Sequence, residues 1–427
     1  DFLEKYGRDT NGDWYFSLDR EGRPLVQPYN IFSDCFAAMA FGKLYEIEPK
    51  EKYAEIAKTT FESILKRQEN PKGKYNKVYS GTRNLQNFAL PMILCNLSLE
   101  LEPLLGSEKV SEVTDSVIDL VMNTFYDEKT GLVLENVSNT GEFVDSFEGR
   151  LLNPGHAIEA MWFIMNLGIR KNDTSLIEKA EKIMFQQLEH GWDEKYGGIF
   201  YFMDSKGRPP QQLEHDQKLW WVHLETLVAL SKTYVYNKNP KAKEWFEKVH
   251  DYTWNHFRDE ENGGEWYGYL NRQGKVQLNL KGGKWKGCFH VPRAMYQCWK
   301  AFEKIETTDV IVKSPGIPDK ASVIQHFRLR QKTIISEIEF ASRYYDGKII
   351  AITGSNGKTT TSSLIHHLLR QSDSKIGLGG NIGNSFARLL MDEHRYDWVV
   401  LELSSFQLDD IDLFEASIAA ILNITPD

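Results

Sequence analysis

Three stretches of the sequence begin with the same kind of turn at a fixed interval. Asp127-Glu-Lys-Thr-Gly-Leu, Asp193-Glu-Lys-Tyr-Gly-Gly and Asp259-Glu-Glu-Asn-Gly-Gly start 66 residues apart, and each runs through aromatic residues to a second glycine turn. A fainter copy, Asp9-Thr-Asn-Gly-Asp-Trp, precedes them. A period of that length accommodates two helices and one hairpin-like loop, and such a unit buries its apolar face only against its neighbours. The outcome is either an open α-solenoid or a closed ring of helix pairs. The ring is expected, because bulky aromatic and ionisable residues share the same helix ends, which suits a lined pocket better than a flat face. Apolar residues at helical spacing predict helices over 156–172, 219–236 and 240–257.

The repeat stops near residue 306. Ten of the eleven tryptophans and all four cysteines lie before residue 300, and beyond it short β-branched runs alternate with helices. Residues 348–353, 398–403 and 417–425 read as buried strands of a parallel sheet, with a crossover helix over 359–371. A length of 427 residues exceeds one domain. Three parts are expected: 1–305, a connecting segment 306–346, and 347–427. A net charge of −9 lacks the basic excess of phosphate-backbone binders, so nucleic acid is excluded as a partner. No apolar run approaches the ~18 residues of a membrane span and no signal peptide opens the chain, so no membrane partner is expected either. Cys35, Cys95, Cys288 and Cys298 show no CxxC spacing, which points away from a disulfide framework or zinc site and toward a reducing, cytoplasmic location. Residue 1 is Asp and Asp427 directly follows a strand-like run, so both ends read as cuts.

Three helix starts carry ionisable side chains. Asn153-Pro-Gly-His156 opens a helix continuing Ala-Ile-Glu159-Ala-Met-Trp162, so His156, Glu159 and Trp162 are expected to share a face. Lys218-Leu-Trp-Trp221-Val-His223-Leu-Glu225 opens another, with Trp221 and Glu225 as i,i+4 neighbours. Lys286-Gly-Cys-Phe-His290-Val-Pro-Arg293 places a His and an Arg at the start of a third. A lone histidine is more often a capping or core residue, and His190, His215, His250 and His256 are assigned there. The three segments differ in recurring at nearly the repeat spacing, and the helix starts of a ring face one end together. Metal binding is the competing reading, but no HxxxH or HExxH pair occurs.

Together NPGHAIEAMW, KLWWVHLETL, the GGIFYF and GGEWYGYL turns and KGGKWKGCFHVPR resemble the N-acylglucosamine 2-epimerase family, which includes the renin-binding proteins, from residue 1 to about 305. The resemblance implies an (α/α)6 toroid that interconverts N-acetylglucosamine and N-acetylmannosamine, a small amino sugar being the partner. Inverting a carbon next to an aldehyde needs one base to remove its proton and another group to return a proton on the opposite face. Imidazole, with a pKa of about 6.5, populates both forms at neutral pH. By resemblance His156 and His290 are the acid/base pair, Glu159 and Glu225 orient them or polarise sugar hydroxyls, and Trp162 and Trp221 supply flat faces for the ring. Arg293 holds a ring oxygen or a carboxylate, or else forms a structural salt bridge. The family implies no cofactor for the chemistry, ATP as an activator at a place no local motif locates, and leaves a homodimer open. Its members begin with further helices carrying an active-site Arg, which would lie upstream of Asp1. Arg150 is no substitute. The toroid is therefore expected to be N-terminally truncated, open at its first helices and weak in turnover. His215 stands where an aromatic residue is expected.

Beyond the seam, the strand over 348–353 runs into Gly354-Ser-Asn356-Gly357-Lys358-Thr359-Thr360-Thr361 and then a helix. A glycine turn lets backbone N–H groups converge on phosphate at a helix start, Lys358 reaches the terminal phosphates and Thr359 can hold Mg²⁺. The strand over 398–403 delivers Glu402 as a second Mg²⁺ ligand. GSNGKTTT, GGNIGN and LELSSFQL are similar to the Mur ligases, most of all the D-glutamate-adding branch, over about 308–427. By that resemblance Gly354, Asn356, Gly357, Lys358, Thr359, Thr360 and Asn381 bind ATP, with Mg²⁺ on Thr359 and Glu402. The fold expected is multidomain, an all-α toroid followed by a partial α/β P-loop domain. The leading function is sugar 2-epimerisation. The alternative is an ATP-binding fragment of a peptidoglycan-precursor ligase in a chimeric chain, without full ligase activity.

Overall fold

The repeated aspartates are turn formers. Their carboxylates accept backbone N–H groups two residues on, Asp9 from Asn11 at 2.8 Å, Asp127 from Lys129 at 3.1 Å and Asp193 from Lys195 at 3.1 Å, while Asp259 accepts from Asn262 at 3.2 Å. The second turn of each pair repeats the device with Asp19, Ser138, Asp204 and Asn271. Gly197 and Gly198 show why the Gly-Gly pair recurs. Both lie at positive φ, and a Cβ on Gly198 would stand 2.6 Å from the Tyr252 ring.

The computed structural model describes residues 1–79, 81–82, 84–303, 309–329, 331–391 and 396–425. The expected seam at 306 lies outside these residues, as does the chain end at Pro426 and Asp427. Two units divide the chain, Asp1–Lys304 and Ile305–Asp427.

In the first unit the helices are α1 Phe2–Tyr6, α2 Ile31–Ile47, α3 Glu51–Lys66, α4 Ala89–Glu100, α5 Glu102–Leu105, α6 Ser107–Asp119, α7 Pro154–Lys171, α8 Thr174–Gly191, α9 Trp220–Asn237, α10 Pro240–Phe257 and α11 His290–Phe302. The helix predicted over 240–257 coincides with α10, whose start is dictated by Asn239 as N-cap and Pro240 in the first turn. α2, α4, α7, α9 and α11 pack each against the next, and α3, α6, α8 and α10 each back the helix before them. Of the row, α7 and α9 are buried nearly all round, α9 from Trp220 to Thr233, whereas α8 and α10 bury one face only. Phe36 of α2 and Phe289 beside α11 meet with ring centroids 5.0 Å apart. This aromatic contact joins the two ends of the row, whose helices α2 and α11 otherwise leave much of their surface exposed, Phe36 and Tyr296 among it.

Short antiparallel ladders lace the loops together. β1 Leu85–Asn87 pairs with β4 Asn136–Ser138, β2 Tyr126–Asp127 with β3 Leu132–Val133, β5 Leu151–Leu152 with β6 Met203–Asp204, and β7 Lys218–Leu219 with β8 Tyr269–Leu270. β5 and β7 lead straight into α7 and α9, so the ladders set the height and angle at which those inner helices begin. Among the described residues no helix is long and apolar enough to cross a membrane.

The second unit contains β9 Val310–Lys313, α12 Ser322–Leu329, β10 Thr333–Ser336, α13 Glu337–Ser342, β11 Lys348–Thr353, α14 Lys358–Leu369, β12 Ile376–Gly380, α15 Phe386–Leu390, β13 Trp398–Glu402, α16 Ser405–Leu408 and β14 Ile418–Ile421. β9 and β10 form a parallel pair, and β12-β13-β11-β14 form a parallel four-stranded sheet. Ile349 and Ala351 join one core cluster, Ile350 and Ile352 the other, so β11 is covered on both faces. The strand expected over 417–425 ends at Ile421, because the following residues turn to brace the loop after β11.

Candidate active site

Asn153 caps α7, its side-chain oxygen accepting the His156 N–H at 3.1 Å, which places His156 in the first turn. Trp221 and Glu225 stand in the first turns of α9, and α11 begins at His290 itself. The three starts converge. The Arg293 guanidinium donates to Glu159 at 2.5 Å and to Glu225 at 2.7 Å, and the His290 Nδ1 lies 2.7 Å from the same Glu225 oxygen. The Trp162 indole N–H donates to the other Glu225 oxygen at 3.1 Å. Trp221 neighbours both imidazoles, with ring centroids 5.3 Å from His156 and 5.8 Å from His290. The His156 side chain is 26% exposed and that of His290 20%, whereas Glu225 is wholly buried. The two imidazoles are thus the groups a ligand can reach, and the carboxylates form the layer beneath.

One member of this site escaped the sequence reading. Glu135 places a carboxylate oxygen 3.0 Å from the His156 Nδ1. Its only linear signal is a single acid closing the apolar run Leu132-Val133-Leu134.

Burial alone would pull the His156 pKa down, but the charge and hydrogen bond of Glu135 outweigh it and hold the imidazole above its usual value. Burial and the neighbouring Glu225 charge push Glu159 up. Burial also opposes ionisation of Glu225, yet Arg293 and His290 overcome it and hold that carboxyl low. The two acids share one guanidinium and titrate as a unit.

Glu159, Glu225 and His290 bring ligand atoms within 4.8 Å of one another, a spacing that would admit a cation. Arg293 already bonds both carboxylates there, so the donor set suits a fixed guanidinium rather than a divalent ion.

One expectation requires correction. Trp162 is 1% exposed, packs edge-on against Phe163 and turns its N–H onto Glu225, so it supports a carboxylate instead of offering a face to a sugar. Arg293 forms the Glu159 and Glu225 ion pairs, the salt-bridge alternative that the sequence left open. Arg150 ties Asp204 at 2.8 Å and Asp145 at 2.7 Å, a loop brace. His223 accepts the Ile199 N–H at 3.0 Å and donates to the Leu219 carbonyl at 2.7 Å, and burial pulls it down to about 3, so it is a neutral core residue. His250 and His256 stack on Trp254 and Tyr252.

In the second unit Gly354 and Gly357 adopt positive φ at the turn into α14. The Lys358 ammonium donates to the Gly354 carbonyl at 2.6 Å, and Thr359 and Thr360 are exposed. Asn423, another residue the sequence did not single out, clamps the loop by accepting the Asn356 N–H at 2.8 Å and donating to its carbonyl at 2.9 Å. Ile352 pairs with Glu402 across β11 and β13, so Glu402 stands level with the mouth of the loop. Asn381 donates to one Glu402 oxygen at 3.2 Å, and the other is buried without a hydrogen-bond partner among the described residues.

Residues 1–294 match the family model of N-acylglucosamine 2-epimerase, and residues 352–427 that of the Mur ligase middle domain. N-acylglucosamine 2-epimerase of Mus musculus is 37% identical over 305 residues, 70% of this chain and 72% of that protein, and the Bos taurus protein is 39% identical over 288 residues, 66% and 68%. UDP-N-acetylmuramoylalanine-D-glutamate ligase of Bacteroides thetaiotaomicron is 53% identical over 125 residues, 29% of this chain and 28% of the ligase. Little more than a quarter of that ligase is therefore spanned. Among solved structures, cellobiose 2-epimerase from Bacillus thermoamylovorans aligns with TM-score 0.60 at 20% identity, covering 70% of this chain and 78% of that one. A D-mannose isomerase aligns with TM-score 0.59 at 17% identity, covering 70% and 78%. At those identities the likeness is one of fold.

Proposed function

The chain belongs to the N-acylglucosamine 2-epimerase family, and on that premise we propose that its helical unit, an (α/α) toroid, inverts C2 of an N-acyl amino sugar, interconverting N-acetylglucosamine and N-acetylmannosamine. In the open-chain sugar the C1 aldehyde acidifies the C2 proton. One imidazole takes that proton while the C–H electron pair moves into a C1–C2 enolate with its charge on O1, the acylamino group staying on C2. The other imidazole returns a proton to the opposite face, and the carbonyl re-forms. Proton transfer by a positioned side chain contributes about 10²–10⁴-fold to rate, and the scheme requires no cofactor. The observation that carries this reading is the pair of partly exposed imidazoles beside one indole, each resting its Nδ1 on a separate carboxylate. That arrangement leaves both Nε2 atoms for the substrate. Incubation with N-acetylmannosamine in deuterated water, followed by NMR, is expected to give N-acetylglucosamine deuterated at C2. No product, or product retaining its C2 proton, overturns the proposal.

A second reading concerns the other unit. The glycine turn before α14 and the unpartnered Glu402 oxygen support binding of a nucleotide triphosphate with Mg²⁺. The N–H groups of Gly357 and Lys358 and the Lys358 ammonium would hold phosphate, those of Ser355 and Asn356 being taken by Asn423, and Thr359 and Glu402 would hold the ion, which neutralises phosphate charge. Titration calorimetry with ATP and Mg²⁺ is expected to show binding weakened at least ~10-fold by Lys358→Ala, the scale of losing one charge-assisted contact. Equal affinity of the variant counts against it.

A further inference from the structure

The two imidazoles are supported differently. Glu225 divides its carboxylate among His290, Arg293 and Trp162. Glu135 gives its carboxylate, among the described residues, to His156 alone. Its main chain is held on both sides, the N–H donating to the Leu151 carbonyl at 3.0 Å and the carbonyl accepting from Phe88 at 2.9 Å and the Asn87 side chain at 3.2 Å. Those bonds tie the segment carrying Glu135 to the start of α4 and to β5, which feeds α7. The carboxylate is therefore fixed against the helix that carries its imidazole.

We propose that Glu135 is the positioning residue of His156, fixing its Nδ1–H tautomer, aiming Nε2 at the sugar and favouring the imidazolium, separately from the Glu225–Arg293 network that serves His290. The proposal rests on the epimerase reading of this site. An ionised carboxylate only accepts, so the ring nitrogen facing it must carry the proton, and a neutral imidazole then keeps its lone pair on Nε2. The titratable groups around His156 are Glu135, Glu159 one turn along α7, Tyr201, whose ring lies 6.2 Å from Trp221, and His290, whose ring lies 5.8 Å from that indole. Of these, Glu135 is the one in hydrogen-bond contact.

The consequence is unusual for a single side chain. His156 takes a proton in one direction of the reaction and gives one in the other. The reaction takes up no net proton, so both directions share one pH profile of kcat/KM, and the His156 titration sets the same limb of it for either epimer. Glu135→Gln keeps the size and removes the charge, so that limb moves to lower pH with both sugars, a signature that loss of packing alone would not produce.

The test uses the full chain carrying ¹⁵N-histidine, with His156→Asn to assign the resonance. Wild type is expected to show the Nδ1–H tautomer above the His156 midpoint, where the ring is neutral. In Glu135→Gln the His156 midpoint is expected to fall by about one unit or more, with kcat/KM down about 10–100-fold, and Glu135→Asp is expected to restore part of both. An Nε2–H tautomer in the wild type overturns the proposal, a measurement that needs no variant to fold. So does a folded Glu135→Gln that leaves the His156 midpoint and that shared limb in place. A wild type that turns over neither sugar yet shows the tautomer and the shift refutes the epimerase reading and keeps the pairing.

Discussion

His290→Asn is expected to lower epimerisation by about 10²–10⁴-fold, and His156→Asn by a similar factor, yet the two variants are expected to differ in what they still do. Each retains one base, and that base faces one epimer. In deuterated water the variant lacking His156 is expected to exchange the C2 proton of one sugar without converting it, and the variant lacking His290 that of the other. The fold is expected to survive in His290→Asn, and in His156→Asn the introduced side-chain amide is the donor left to face the buried Glu135 carboxylate. Glu225 keeps Arg293 and the Trp162 N–H when His290 is replaced, so no buried charge is stranded. NMR of each sugar separately reads the result. Exchange of both sugars by either variant would contradict the assignment of one face to each histidine.

How much of this site can be read from a single chain depends on whether its geometry is local. Asn153, Pro154 and the helical run after them fix where α7 starts, so His156 in its first turn follows from spacing. Spacing also explains the error at Trp162. Six residues advance a helix by about 600°, which leaves Trp162 roughly 120° away from His156 and pointing into the wall. Glu159, at three residues, stays near the mouth and reaches Arg293. Glu135 was illegible because its relation to His156 is created by pairing among segments distant in sequence, visible only once Glu135 bonds Leu151. Asn423 is the same case, since its hold on the backbone of the glycine loop before α14 spans 67 residues. The aspartate repeat made the reverse contribution. It announced the architecture plainly, but its carboxylates are spent on turns and tell nothing of the chemistry.

Replacing Arg293 with methionine is expected to destabilise the helical unit by about 3–5 kcal/mol at neutral pH, the scale seen when one partner of a buried ion pair is removed. Glu159 and Glu225 are both buried, and Arg293 is the hydrogen-bond donor that joins them. Without it Glu225 retains His290 and Trp162, while Glu159 loses the hydrogen-bond donor the structure gives it. The pH dependence follows from the directions of the two shifts. In the wild type Glu225 is held below its unfolded value, so it contributes stability above about pH 4.3 that disappears as pH falls through its folded value. Glu159 is held above its unfolded value, so its ionisation is a penalty that grows as pH rises and is relieved by acid. Removing the guanidinium raises both carboxyls further. The deficit of Arg293→Met against wild type should therefore be largest near pH 8 and shrink toward pH 5. Ten of the eleven tryptophans lie in the helical unit, so indole emission during urea unfolding reports that unit and not its neighbour. Adding Glu159→Gln to Arg293→Met is expected to recover part of the loss at pH 8 and little at pH 5, because the neutral amide replaces the charge that Arg293 had compensated. A deficit independent of pH, or no recovery in the double variant, would mean that Arg293 stabilises the unit through packing against Trp162 and Phe289 and not through its charge.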